Sequence, residues 1–213
     1  MKVLIIGANG KVGRIIVDKM IASSEFEPVT LIRNREQTSY FEQKGVETGV
    51  ASIEDSIQTI SSVMYKIDAI VFTAGSGAKT GADKTLTVDL DGAVKCMIAA
   101  EHKGIKRFVM ISALKTASRQ LWEQNPKLKP YLVAKYYADI YLQSTNLGFT
   151  ILRPGRLTDE PGTGKITIEK AHEKETISRE DVASIVIETL KNNSTIQKVI
   201  DFNNGEMDIT DLL

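Results

Sequence analysis

The chain has 213 residues, enough for one substantial domain with a large core and too few for two comfortable ones. Apolar residues make up 42% and charged residues 25%, and 27 basic residues offset 27 acidic ones to leave a formal net charge of zero. That balance speaks against nucleic acid or an anionic membrane as the main partner, because neither electrostatic footprint is present.

The single cysteine, Cys96, sits among Val94, Met97 and Ile98 and reads as a core thiol, so no disulfide framework exists within the chain. No apolar run approaches the roughly 20 residues needed to span a bilayer. The start lacks a basic leader and a cleavage site, which reads as no signal peptide. A cytoplasmic protein is expected.

The first predicted strand, Val3-Leu4-Ile5-Ile6, breaks into Gly7-Ala8-Asn9-Gly10-Lys11-Val12-Gly13. The segment that follows carries Val12, Ile15, Ile16 and Met20 at helical spacing. A buried strand, three glycines three apart and a helix together read as a phosphate-binding turn. Gly7 permits the tight exit, Gly10 lets a pyrophosphate approach the backbone, and Gly13 lets the helix pack closely. The open N–H groups and positive dipole end of the helix then face the phosphates.

Further strands are expected at 29–32, 46–50, 67–72, 108–111, 150–152 and 199–202. Helices are expected at 11–24, 36–44, 53–65, 84–103, 131–145 and 179–191. This alternation predicts an α/β fold: a Rossmann-like, doubly wound, mainly parallel sheet with helices on both faces, in a single domain. Ser178 reads as an N-cap before the acidic turn Glu180-Asp181, and Pro130 suits a first-turn position before Tyr131. Two long segments interrupt the rhythm, 113–130 with Trp122 and 154–177 with Pro161, Gly162 and Gly164. Both follow carboxyl ends of strands, where open α/β sheets bind ligands, and are expected to form the substrate loops.

The residue ending the second strand meets the adenosine ribose in such a fold, and a carboxylate there favours NAD. This chain has Leu31-Ile32-Arg33-Asn34-Arg35 instead. A guanidinium fork suits a 2′-phosphate, so Arg33, helped by Arg35, points to NADP(H).

A tyrosine four residues before a lysine puts both on one helix face, where the ammonium lowers the phenol towards the working range of a general acid. Tyr131 and Lys135 have this spacing, and so do Tyr40 and Lys44. Position separates them. The first pair starts the helix after the fifth strand, with Ser112 at that strand's carboxyl end, whereas Tyr40 and Lys44 follow the second strand beside the adenosine half. Ser112 would hold a substrate carbonyl while Tyr131 protonates it. His172 and His102, each flanked by charged residues, read as solvated, and no spacing of ligands suggests a metal.

The chain resembles the atypical short-chain dehydrogenases/reductases, in their compact NAD(P)-binding, epimerase-like group. The resemblance spans nearly the whole chain and rests on the glycine turn, Arg33, Thr73-Ala74-Gly75, Val88-Asp89-Leu90-Asp91-Gly92, Ser112, Tyr131 with Lys135, and Arg153-Pro154-Gly155. It implies that Ser112 polarises, Tyr131 is the acid/base, and Lys135 activates the tyrosine and holds a ribose. It further implies that Thr73, Ala74 and Gly75 run along the cofactor and that Arg153, Pro154 and Gly155 lie beside the nicotinamide. Asp89 stands where fuller relatives have asparagine. About sixty residues after Arg153 leave little room for the sugar-gripping domain of the epimerases.

The expected cofactor contacts are thus Gly7, Asn9, Gly10, Lys11, Val12, Gly13, Arg33, Thr73, Ala74, Gly75, Ser112, Lys135, Pro154 and Gly155, with Ser112, Tyr131 and Lys135 catalytic. The expected activity is NADP(H)-dependent reduction of a small carbonyl, quinone-like or flavin-like compound under the loops around 114–122 and 157–163. A non-enzymatic NADP(H) sensor and a nucleotide-sugar epimerase are the alternatives. Periodicity leaves monomer and homodimer both open.

Overall fold

The computed structural model describes residues 1–77, 80–168 and 176–211. The first half of the chain alternates strand and helix: β1 (Lys2–Ile6), α1 (Lys11–Ile21), β2 (Glu27–Ile32), α2 (Thr38–Glu42), β3 (Glu47–Val50), α3 (Ile57–Ser62) and β4 (Ala69–Phe72). A short turn, α4 (Ala82–Lys84), then enters a π-helix at Thr85–Gly92 that continues as α5 (Ala93–His102). β5 (Arg107–Ile111), α6 (Arg119–Gln124), α7 (Lys129–Gln143) and β6 (Gly148–Pro154) follow. The last part holds β7 (Arg156–Thr158), β8 (Lys165–Thr167), β9 (Thr176–Ser178), α8 (Arg179–Lys191), β10 (Lys198–Asn204) and β11 (Met207–Asp208).

Nine strands form one sheet in the order β3-β2-β1-β4-β5-β6-β10-β8-β11, parallel from β3 through β10 and antiparallel beyond. β7 and β9 pair separately. Strand order reverses between β1 and β4, where Ile6 lies opposite Phe72, and the crevice above that reversal is where such sheets take ligands.

Apart from Lys2 and Arg107 at their starts, strands β1, β4 and β5 are apolar and buried on both faces, as a parallel sheet covered on both sides requires. Alternate residues feed two cores. Val3, Ile5, Val71 and Val109 pack with Ile16 and Met20 of α1 and Val182 and Val186 of α8. Leu4, Ile70, Phe72 and Phe108 pack with Ile60 of α3, Met97 of α5 and Leu142 of α7. Cys96 is fully buried in this second core, and burial pushes its thiol well above the ordinary range.

The anticipated strands and helices are all present; α8 has the expected ends, and the others differ at one end or both. The helix expected at 84–103 is three pieces joined through the π-helix, and α7 begins at Lys129 with Pro130 in its first turn. Ser178 caps α8 by accepting the Asp181 N–H at 2.9 Å. Helix α6 and the short strands β7, β8, β9 and β11 were not anticipated. Strands of two or three residues carry too little alternation to register, and α6 (RQLWEQ) buries only Trp122. His102 is exposed at the end of α5, and His172 lies outside the described residues. Among the described residues no helix is long and apolar enough to cross a membrane.

Candidate functional site

The glycine turn is fixed by sterics. Gly7 has φ +88°, and a Cβ on it would lie 2.6 Å from the Ala74 nitrogen. A Cβ on Gly13 would lie 2.4 Å from the Gly7 carbonyl oxygen, so α1 packs against the turn only with glycine there. Gly10 is the N-cap of α1 and supplies no side chain to it, whereas Ser56, Ser118 and Ser178 cap α3, α6 and α8. The first-turn N–H groups of α1 and its positive dipole end are therefore left for a ligand, and an anion fits them. Asn9 is held by Arg14, whose Nε and Nη2 donate to its Oδ1 at 3.2 and 2.6 Å. The Arg14 guanidinium in turn lies 4.1 Å from the Tyr40 ring centroid.

Two clefts meet at this turn. The first, of about 260 Å³, runs past Gly7, Asn9 and Gly10 to Arg33 at the end of β2, with Ala51, Ile53 and Val88 as its apolar wall. Glu54 also lines it, its carboxyl held below the usual range by hydrogen bonds from Lys84 and Thr87, with the Arg33 charge adding to the effect. Arg35, expected to assist Arg33, is exposed and does not line this cleft, because a tight helical turn over Arg35–Gln37 carries Gln37 there instead. Thr73, Ala74, Gly75 and Ser76, at the end of β4, line both clefts.

The second cleft, of about 700 Å³, brings together Lys11, Val12, Asp89, Ser112, Tyr131 and Lys135. Ser112 directly follows β5, and its buried Oγ has no hydrogen-bond partner, although it lies near enough to Asp139 to favour that carboxylate. Lys135 Nζ donates to the Ile111 carbonyl at 3.2 Å and sits 3.8 Å from Asp89 Oδ1 and 6.0 Å from the Tyr131 ring centroid. Asp89 projects from the π-helix, and its Oδ2 accepts the Ser76 N–H at 3.0 Å. Burial, with Asp89 and Asp139 behind it, pushes the Tyr131 phenol up. The spacing led to the expectation that Lys135 lowers it; here the ammonium faces Asp89, and burial is the largest influence on the phenol, with the two carboxylates adding to it. Lys135 itself is lowered by burial, against opposing pulls from Asp89 and Asp139.

The sequence profile of NAD(P)H-binding proteins matches residues 7–193. The chain belongs to the NAD(P)H-binding family. Within it the chain is an atypical short-chain dehydrogenase/reductase of the epimerase-like kind. It is 45% identical to the uncharacterised sugar epimerase YhfK of Bacillus subtilis over 100% of this chain and 99% of that one. A solved structure from Bacillus halodurans, provisionally named an NAD-dependent epimerase/dehydratase, superposes with TM-score 0.91 at 40% identity, covering 100% of this chain and 98% of the other. The oxidoreductase YlbE of Lactococcus lactis follows with TM-score 0.86 at 32% identity, covering 98% and 93%.

Some residues that the family resemblance placed at the cofactor are not among the cleft linings of this NAD(P)H-binding chain. Pro154 and Gly155 line neither cleft. The Pro154 carbonyl accepts the Leu114 N–H at 2.9 Å, and the Gly155 N–H donates to the Phe202 carbonyl at 3.1 Å, so both are spent on neighbouring backbone. Arg153 Nε instead donates to buried Asp139 at 2.8 Å. No residue around 114–122 lines this cleft, and Trp122 is buried, with its Nε1–H donating to the Thr116 carbonyl at 2.9 Å. The wall on that side comes from Lys127, Leu128 and Pro130. On the other side Leu157 and Arg179 line the cleft, and Arg179 and Lys11 share Asp159 at 2.7 and 2.6 Å. Sequence reasoning missed Arg14, Lys127 and Arg179. The run of polar and apolar residues at 85–92 also gave no sign of a π-helix, a geometry frequent at functional sites.

Proposed function

We propose that the protein is an NADP(H)-dependent reductase of a small carbonyl, quinone-like or flavin-like compound. The observation that carries this reading is the pair of clefts meeting at the glycine turn, with Arg33 at one end and Ser112, Tyr131 and Lys135 at the other. An elongated dinucleotide fits that path, with its diphosphate over the uncapped start of α1. Bound NADPH supplies a hydride at the second cleft. Arg33 offers a fork of donors and a permanent charge to a 2′-phosphate. Lys135, anchored on Ile111, holds its remaining N–H groups for ligand hydroxyls, and Ser112 orients a substrate oxygen.

Tyr131 keeps its proton across the neutral range because its phenol is pushed up, so it enters each turnover as the acid form. Reduction of a carbonyl then takes a hydride on carbon and the Tyr131 proton on oxygen, and solvent reloads the phenol. A flavin or quinone needs the same hydride and one proton, which solvent delivers without Tyr131. Epimerisation of a nucleotide sugar has less support. The described residues after β6 go into the small β7–β9 pair, the edge of the main sheet and α8 against α1, which leaves little to grip a sugar nucleotide.

Fluorescence titration with NADPH and NADH tests the cofactor. NADPH is expected to bind at least about tenfold tighter, and Arg33→Ser to erase the difference, in line with the worth of a charge-assisted contact. Equal binding of the two by the native chain overturns the choice of NADP(H). Consumption of NADPH against a panel of quinones, flavins and aldehydes tests the chemistry. No turnover, together with a cofactor-dependent change in a pull-down, replaces the enzyme with a sensor.

A further inference from the structure

Resting on the reductase reading, one feature of the second cleft narrows its substrate. Four cations line it, Lys11, Lys127, Lys135 and Arg179, against the single carboxylate Asp89. The chain as a whole carries no net charge, so this excess is local. Most of it is already answered inside the protein. Lys135 faces Asp89 at 3.8 Å, and Lys11 and Arg179 share Asp159.

Lys127 is different. It is exposed at the mouth, and among the described residues it makes no hydrogen bond or ion pair. The nearby acid Glu123 is taken by Lys129 at 2.7 Å. Beside Lys127 stands Leu128, 52% exposed, with Pro130 and Leu157 continuing an apolar wall into the cleft. The cations also come from both sides of the sheet. Lys127 precedes α7, which covers one face, while Lys11 and Arg179 start α1 and α8, which cover the other.

We propose that the outer half of this cleft selects substrates with an apolar reducible body and an anionic group, phosphate or carboxylate, and that Lys127 is the selecting cation. An apolar wall favours any flat substrate equally, and a neutral one gains nothing from Lys127. An anionic one gains an ion pair at the rim, which acts on encounter and on KM while leaving the hydride step alone.

Matched substrates test this: FMN against riboflavin for a phosphate, and a naphthoquinone with and without a carboxylate side chain. At saturating NADPH the anionic member of at least one pair is expected to show the lower KM, and the responding pair identifies the anion. Lys127→Ala is expected to raise that KM about fivefold and Lys127→Glu about 20-fold, with kcat and the neutral partner unchanged, as befits a rim ion pair. The difference shrinks in about 0.5 M salt. Asp159→Asn, which frees Arg179 and Lys11, moves the anionic KM the other way. Equal KM values within both pairs, unmoved by Lys127→Glu, overturn the inference and leave the reductase standing. Quenching of flavin fluorescence by the NADP⁺-loaded protein separates the two readings. FMN bound tighter than riboflavin in a Lys127-dependent way, without any NADPH oxidation, keeps the anion site and removes the reductase.

Discussion

Two tyrosine–lysine pairs with the same spacing occupy this molecule, and they are physically unlike. Tyr40 and Lys44 touch: Lys44 Nζ donates to Tyr40 Oη at 3.0 Å and also to Asp18. They lie on the flank of α1, in neither cleft. Tyr131 and Lys135 line the larger cleft without being paired to each other, because Lys135 turns to the Ile111 carbonyl and Asp89. The pair that looks more like a phenol held by an ammonium is thus the one with no place for a substrate. Spacing puts two side chains on one helix face, but what surrounds that face decides where the charge goes.

The largest effect that separates the pairs is on turnover. Tyr131→Phe is expected to lower kcat for a carbonyl substrate by about 10²–10⁴-fold, the usual worth of a positioned general acid, while Tyr40→Phe leaves it within about twofold. Steady-state rates on one aldehyde decide it. A carbonyl turned over equally fast by both variants removes Tyr131 from the mechanism. Equal rates confined to flavins instead indicate an acceptor protonated by solvent.

Next in size is stability. Lys135→Ala strands Asp89, 1% exposed, without its cation and leaves the Ile111 carbonyl without this donor. Breaking such a buried pair from one side costs about 3–5 kcal/mol. Lys44→Ala removes contacts that lie in solvent, and no change in the urea midpoint is expected. Urea unfolding of both variants measures the contrast. A loss below about 1 kcal/mol for Lys135→Ala puts its ion pair on a par with surface pairs and erases the difference from Lys44.

The sheet was legible because its centre is written in long apolar runs. Val3-Leu4-Ile5-Ile6 and the apolar stretch ending at Phe72 have no alternation to hide, and the glycine turn binds them into one topology. The edge was not legible: β8 is held by pairing with β10, and β11 by pairing with β8, a property of the neighbour and not of their own residues. In the site, Ser112, Tyr131 and Lys135 were legible as a constellation, since each lies just past the end of β5 or near the start of α7. The sign of the Tyr131 shift was not. It depends first on burial in the assembled cleft, and then on Asp89 and Asp139, one on a π-helix that no periodicity announces and the other two turns along α7. Pro154 and Gly155 are the converse, motif residues that line neither cleft, with the Pro154 carbonyl accepting from Leu114 and the Gly155 N–H donating to Phe202.

The smallest expected effect is a missing one, and it bears on that sign. If Lys135 lowered the Tyr131 phenol, the acid form would drain away as pH rises through the eights and nines, and carbonyl turnover would fall with it. Burial and two carboxylates raise the phenol instead, so the proton donor stays loaded past the ordinary tyrosine value of about 10. kcat for an aldehyde is therefore expected to change less than about twofold between pH 7 and about 9, with any loss attributable to Tyr131 beginning above about 10. The profile of Tyr131→Phe isolates that contribution from other groups. A limb below about pH 9 in the native enzyme that vanishes in Tyr131→Phe would mean that Lys135 prevails over Asp89 and Asp139 once ligands are bound. Tyr131 would then behave as the sequence spacing suggests, and its likeness to Tyr40 would be more than a matter of position.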